Sequence, residues 1–162
     1  MQSIIKKNMN EKFLRRAIDL AKQSIKTGGG PFGAIIVKDG EIIAETSNSV
    51  TKDLDPTAHA EVNCIRQACK KLGTFILEGC EIYSSTEPCP MCLSAIYWAH
   101  ISKIYYAATK DDAAYGGFDD DFIYKELDLE KTKRKIPAIN FLQEEGRKVF
   151  DIWLSTENKT DY

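Results

Sequence analysis

Apolar positions between residues 10 and 27 recur at helical spacing, with Phe13, Leu14, Ala17, Ile18, Ala21 and Ile25 on one stripe. Asn10 suits the cap and Glu11 the first turn, while Gly28, Gly29, Gly30 and Pro31 stop the helix. The period then shortens. Gly33 to Lys38 and Glu41 to Ala44 are β-rich runs joined by Asp39-Gly40, which predicts a hairpin, and Ser47, Asn48 and Ser49 close its second strand. Asp53 to Thr57 is polar, carries Pro56 and predicts a loop. A second helix runs to about Leu72 with Val62, Ile65, Ala68 and Cys69 facing inward, and Gly73 stops it. Cys80 to Ser85 predicts a third strand, Cys89 to Ala99 a helix and Lys103 to Ala108 a fourth strand. Helices alternating with strands in this order imply helices packed on a sheet with a partly parallel crossover region.

The pattern weakens further on. Ala113 to Asp121 reads as a small-residue acidic loop, Phe122 to Leu127 as a short helix, and Phe141 to Leu154 as a final helix before a polar tail. The basic run Lys131, Lys133, Arg134 and Lys135 reads as a solvated face or loop. There is no internal repeat.

Composition narrows the class. A chain of 162 residues has the size of one ordinary domain. With 43% hydrophobic and 28% charged residues it is composed like a soluble globular protein. A net charge of -2 gives no general pull toward nucleic acid or an anionic membrane. Met1 to Arg16 lacks the continuous apolar core of a signal peptide, and no stretch reaches the length of a membrane span. Five cysteines without such a signal fit a reducing compartment, so a cytoplasmic protein is expected.

The chemistry sits in His59-Ala60-Glu61 and Pro88-Cys89-Pro90-Met91-Cys92. Cys89 and Cys92, three apart, share one face of a first helical turn, and Pro90 suits the first helical position with Cys89 as cap. The positive end of that helix favours thiolates, which zinc binds. Alone, the pair fits a redox couple or two core cysteines as well. His59 adds a third ligand, and three protein ligands with one open position are the arrangement of a catalytic zinc. Glu61 diverges from His59 on a regular helix, so both reach one site only if the helix begins near His59, where Pro56 and Thr57 place a start. His-x-Glu followed by Pro-Cys-x-x-Cys is the signature of zinc nucleobase deaminases. Zinc would lower the pKa of a water from about 15.7 toward about 7, and Glu61 would carry its proton to a ring nitrogen. The reaction class is hydrolytic deamination. His100, at a helix end, reads as a dipole partner, and Cys64, Cys69 and Cys80 read as core.

Gly30-Pro31-Phe32-Gly33-Ala34, Asp55 to Val62, Glu87 to Leu93, Ala95-Ile96-Tyr97-Trp98-Ala99 and Gly117-Phe118-Asp119-Asp120 through Glu126 make the chain resemble the cytidine deaminase superfamily and, within it, the bacterial guanine deaminases. The zinc motifs carry the superfamily; the Trp98 and Gly117 to Asp120 segments carry the narrower likeness. The resemblance covers about four fifths of the chain and is weakest from Leu129 to Ser155. It implies a three-layer α/β/α fold, a five-stranded mixed sheet with helices on both faces, and one zinc per subunit. It also implies guanine as substrate, with xanthine and ammonia as products. Asn48 and the Ala60 backbone amide would bind the purine, Phe32 and Trp98 would flank it, and Asp120 would contact it and help move protons. It further implies one deaminase domain over 1–162, in a homodimer whose C-terminal segment, about 140–162, is swapped so that Tyr162 completes the partner's site. No nucleic-acid or membrane partner is expected. A tRNA adenosine deaminase is the alternative, though it would need a basic RNA-binding surface that this acidic chain lacks. A guanosine or cytosine deaminase of the same fold, or a zinc-binding module without catalysis, completes the range.

Overall fold

The computed structural model describes residues 2–161, with side chains from residue 10 onward. Helix α1 (Gln2–Lys26) leads into the hairpin of β1 (Gly33–Lys38) and β2 (Glu41–Ser47). Asp39 and Gly40 both have positive φ, 51° and 82°, the turn that matches the twist of the flanking strands. A one-turn helix α2 (Val50–Asp53) and the longer α3 (Ala60–Leu72) follow. Strand β3 (Cys80–Thr86), helix α4 (Pro90–Trp98) and strand β4 (Lys103–Ala108) form a parallel crossover. The sheet order is β2-β1-β3-β4, with β1 antiparallel to both neighbours and β4 parallel to β3.

Alternation along the two central strands feeds two cores. Ala34, Ile36 and Ile82 pack with Ala60, Cys64 and Ala68 of α3 and Ile96 of α4. Ile35, Val37 and Tyr83 face the other way, onto Phe13 and Leu20 of α1. Helices thus cover both faces, as the expected α/β/α arrangement requires. On the α1 side the approach is closest at Gly33, where a Cβ would stand 2.3 Å from the Ala17 carbonyl oxygen. Tyr83 stacks on Tyr105 with ring centroids 4.6 Å apart and donates its hydroxyl to Asn10.

Three expectations need correction. The sheet has four strands rather than five among the described residues. Beyond β4 the regular elements are helical: α5 (Lys110–Tyr115), α6 (Asp121–Asp128), a 3-10 turn at Lys131–Lys133 and α7 (Gln143–Ser155). The stretch between the last two carries Pro137, which lacks the ladder donor a strand needs. Second, Ile25 is outward, 58% exposed, and Ser24 takes the inward position because its hydroxyl donates to the Asn48 carbonyl at 3.3 Å. Third, the fully buried seam of α3 is Ala60, Glu61, Cys64 and Ala68; Ile65 and Cys69 pack against that core while partly covered, and Val62 is not part of it. That rotation turns Glu61 inward.

The chain divides after Asp120 into two compact units. In the second, Arg134 donates to the carbonyls of Leu127 and Leu129 at the end of α6, so part of the basic run closes a helix. No helix among the described residues is long and apolar enough to cross a membrane.

Candidate metal centre and active site

Two helix N-termini carry the ligand set. His59 is the N-cap of α3 and Cys89 the N-cap of α4, both with extended backbone, and Pro90 occupies the first turn of α4. Neither side chain caps its own helix. Both are therefore free to turn toward a common point. His59 Nδ1 lies 3.6 Å from Cys89 Sγ and 3.4 Å from Cys92 Sγ, and all three ligand atoms fall within 4.8 Å of one another. A tetrahedral zinc, with bonds of about 2.3 Å to sulfur and about 2.0 Å to nitrogen, sets such atoms about 3.5 Å apart. The donors therefore fit zinc in type, number and spacing.

The thiols are poised unequally. The hydrogen bond from the Cys92 thiol, with help from His59, pulls Cys89 down to about 4, while Cys92, hydrogen-bonded to Cys89 and buried, is pushed up. The positive ends of α3 and α4 favour negative charge on the pair. His59 is raised, first by its hydrogen bond with Cys89. Cys64, by contrast, is pushed up to about 12 by burial and is an inert core thiol.

Glu61 lies in the first turn of α3 and is 6% exposed. Its Oε1 accepts from Ser84 Oγ at 3.1 Å, and its Oε2 lies 3.5 Å from Cys92 Sγ. Burial raises its pKa above the usual carboxylate range, and the Ser84 hydrogen bond partly offsets this. A carboxyl group so placed, beside a candidate metal-donor group, is suited to take up a proton and give it back. The β3–α4 corner that presents Cys89 is tied down as well: Glu87 accepts from the Lys110 amide at 3.1 Å, and its own amide donates to the Ala108 carbonyl at 2.8 Å.

Other sequence-predicted residues gather nearby to differing degrees. Asn48 and Phe32 both lie against Gly30, where a Cβ would stand 3.3 Å from each side chain. The Asn48 side-chain oxygen accepts from the Val50 amide at 3.2 Å. Phe32 meets Phe118 edge to face, with ring centroids 4.9 Å apart. Ala60 is buried as the first residue of α3, where backbone N–H groups lack helical partners. Asp120 is half-buried; its charge acts on His59, and its own pKa is raised by burial and by Cys89. Trp98 closes α4 and is 67% exposed, further out than a residue walled into the site. Tyr162 lies outside the described residues.

Sequence reasoning missed Ser84 and Asn63. Asn63 Nδ2 donates to Ser49 Oγ at 2.9 Å, and to the Ser47 and Ala58 carbonyls, tying the Asn48 loop to α3. A signal existed for Ser84: its inward row on β3 reads Cys80, Ile82, Ser84, Thr86, turning from apolar to hydroxylic where Glu61 lies.

Residues 7–108 match the cytidine and deoxycytidylate deaminase zinc-binding region. The chain is 53% identical to guanine deaminase of Bacillus subtilis, over 94% of this chain and 99% of that protein. The crystal structure of guanine deaminase from Bacillus subtilis superposes with a TM-score of 0.92 at 54% identity, covering 94% of this chain and 98% of that one. A tRNA-specific adenosine deaminase of Aquifex aeolicus is 48% identical, over 66% of this chain and 70% of that protein. That likeness spans less of the chain than the likeness to the guanine enzyme does. The chain belongs to the cytidine and deoxycytidylate deaminase family of zinc-binding proteins.

Proposed function

We propose that this protein is a zinc-dependent guanine deaminase that converts guanine and water to xanthine and ammonia. The observation that carries it is the buried Glu61 carboxyl, with Oε2 3.5 Å from Cys92 Sγ beside a three-donor group that leaves a tetrahedral position open. Likeness to a guanine deaminase over nearly the whole chain supports the substrate.

His59, Cys89 and Cys92 hold one zinc per subunit. When bound, zinc lowers the pKa of a water toward about 7 and supplies a nucleophile at neutral pH. Glu61 Oε2 accepts a proton from the attacking water and delivers it to the ring nitrogen beside the attacked carbon. A carbon–oxygen bond forms, the carbon–amine bond breaks, and the second water proton leaves with the amine as ammonia. Asn48 and the Ala60 amide bind the purine edge, and Phe32 flanks its face. Trp98 flanks it from the outer side. Asp120 contacts the base and assists proton movement. Polar groups matched to the edge reject bases that leave them unpaired.

The protein acts as one cytoplasmic deaminase domain in a homodimer, with the segment from about 140 to 162 exchanged between subunits and Tyr162 closing the partner's site. The support is the second unit's own surface: Val149, Phe150, Trp153 and Leu154 share a face of α7, and all are exposed.

Zinc-loaded protein is offered guanine, guanosine, adenine, cytosine and tRNA separately, and ammonia is measured. Release from guanine alone, with xanthine formed, is expected. Release from tRNA or guanosine alone would move the chain to another branch of the family. No release from any substrate would leave a zinc-binding module.

A further inference from the structure

We infer that Ser84 is the positioning residue that assigns the two oxygens of Glu61 their separate tasks. Its hydroxyl is buried, 2% exposed, and donates to Oε1 at 3.1 Å, while Oε2 is the oxygen turned toward Cys92. The inference rests on the deaminase reading, which needs one carboxyl oxygen aimed at the metal position.

Ser84 belongs to the row of β3 that faces α3. The preceding residues of that row, Cys80 and Ile82, are wholly buried in the core shared by α3 and α4. Ser84 breaks this apolar row opposite the first turn of α3. It is held there from both sides: across the sheet it pairs with Ala34, and its own oxygen accepts from the Thr86 amide at 3.4 Å. A hydroxyl fixed to the central strand is thus applied to one side of the carboxyl group.

The torsion that turns a glutamate carboxyl plane is broad, so packing alone sets the plane only loosely. A hydrogen bond to one oxygen fixes the plane and so aims the other oxygen at the donor group. It also survives turnover. When Oε2 takes the water proton, Oε1 remains an acceptor, and Ser84 keeps donating without losing its own proton. The carboxyl group therefore stays in place while it passes a proton from water to the ring nitrogen, and misplacement by about 1 Å is enough to cost a reaction about 10²-fold.

The test compares wild type, Ser84→Ala, Glu61→Gln and the double variant, all zinc-loaded. Ser84→Ala is expected to lower kcat for guanine at least about tenfold while KM stays within about twofold. Zinc content is expected to match wild type. The double variant is expected to be no slower than Glu61→Gln, since Ser84 acts through that carboxyl group. An unchanged kcat, or a loss that multiplies in the double variant, would overturn the assignment. A crystal structure of zinc-loaded Ser84→Ala tests it without turnover: a rotated Glu61 carboxyl is expected, and an unmoved one rejects the role. If wild type releases no ammonia from guanine, the function reading fails, and the crystal structure alone decides the role of Ser84.

Discussion

In the proposed mechanism Glu61 and the three candidate donors do different work within a few ångströms, so single substitutions can separate them. Glu61→Gln keeps the shape and removes the proton acceptor. It is expected to retain zinc by elemental analysis and lose about 10²–10⁴-fold in turnover. Turnover near wild type would end the proton-shuttle role. His59→Ala and Cys89→Ala each leave two donors where zinc needs three, and both are expected to lose the metal. Full occupancy in either would strike that residue from the ligand set. These residues were legible in the sequence because metal chemistry needs particular atom types at particular spacings. Ser84 was not, because a serine in a strand is ordinary and its importance comes from a register with α3 that only folding creates. Trp98, which the resemblance sets beside the purine, closes α4 and is largely exposed, on the outer side of the site.

At the scale of elements, the contact between α1 and the sheet makes two predictions. Gly33→Ala inserts a methyl group 2.3 Å from the Ala17 carbonyl and 2.7 Å from the Ala21 amide, both rigid backbone. The helix must lift, and a loss of about 1–3 kcal/mol is expected in denaturant unfolding. An unchanged midpoint would mean that α1 docks elsewhere. The second prediction concerns pH. Arg16 Nε bonds Glu45 Oε2 at 2.9 Å and its Nη2 reaches the other oxygen, joining α1 to β2. That hydrogen bond holds the Glu45 pKa below its ordinary value. A carboxylate lowered by folding stabilises the protein above the unfolded-state pKa, and the gain disappears as pH falls through the lowered one. The pair is over a third exposed, so Glu45→Gln should cost less than about 1 kcal/mol at neutral pH. The difference between the two proteins should close in acid. A gap that persists there would show that the substitution acts through packing. The hairpin, α3, α4 and β4 were legible because Asp39-Gly40, Pro90 and long apolar periods mark them. Helix α5 was not: its six residues bury none of their side chains, and a capping box between Thr109 and Asp112 starts it.

For the whole molecule, the open question of assembly is a question about where apolar surface goes. Phe141, Phe150, Ile152 and Leu154 are each more than two-thirds exposed or close to it, far more than scattered surface residues require. The proposed exchange of segment 140–162 between two copies would bury this surface and place Tyr162 in the partner's site. A shared site can be tested by complementation, because the swap separates the zinc donors from the terminal segment. One variant, His59→Ala, cannot hold zinc but keeps its tail. The other lacks Asp161 and Tyr162 but keeps its donors. Each alone is expected to be inactive on guanine. Unfolded together and refolded, they form mixed dimers in which one site has its own zinc and its partner's tail, so activity should return. Light scattering on the same sample should give twice the chain mass. If the truncated variant is already active, Tyr162 is not part of the site. If both are inactive and mixed dimers stay inactive, the tail serves its own subunit and the exchange is excluded.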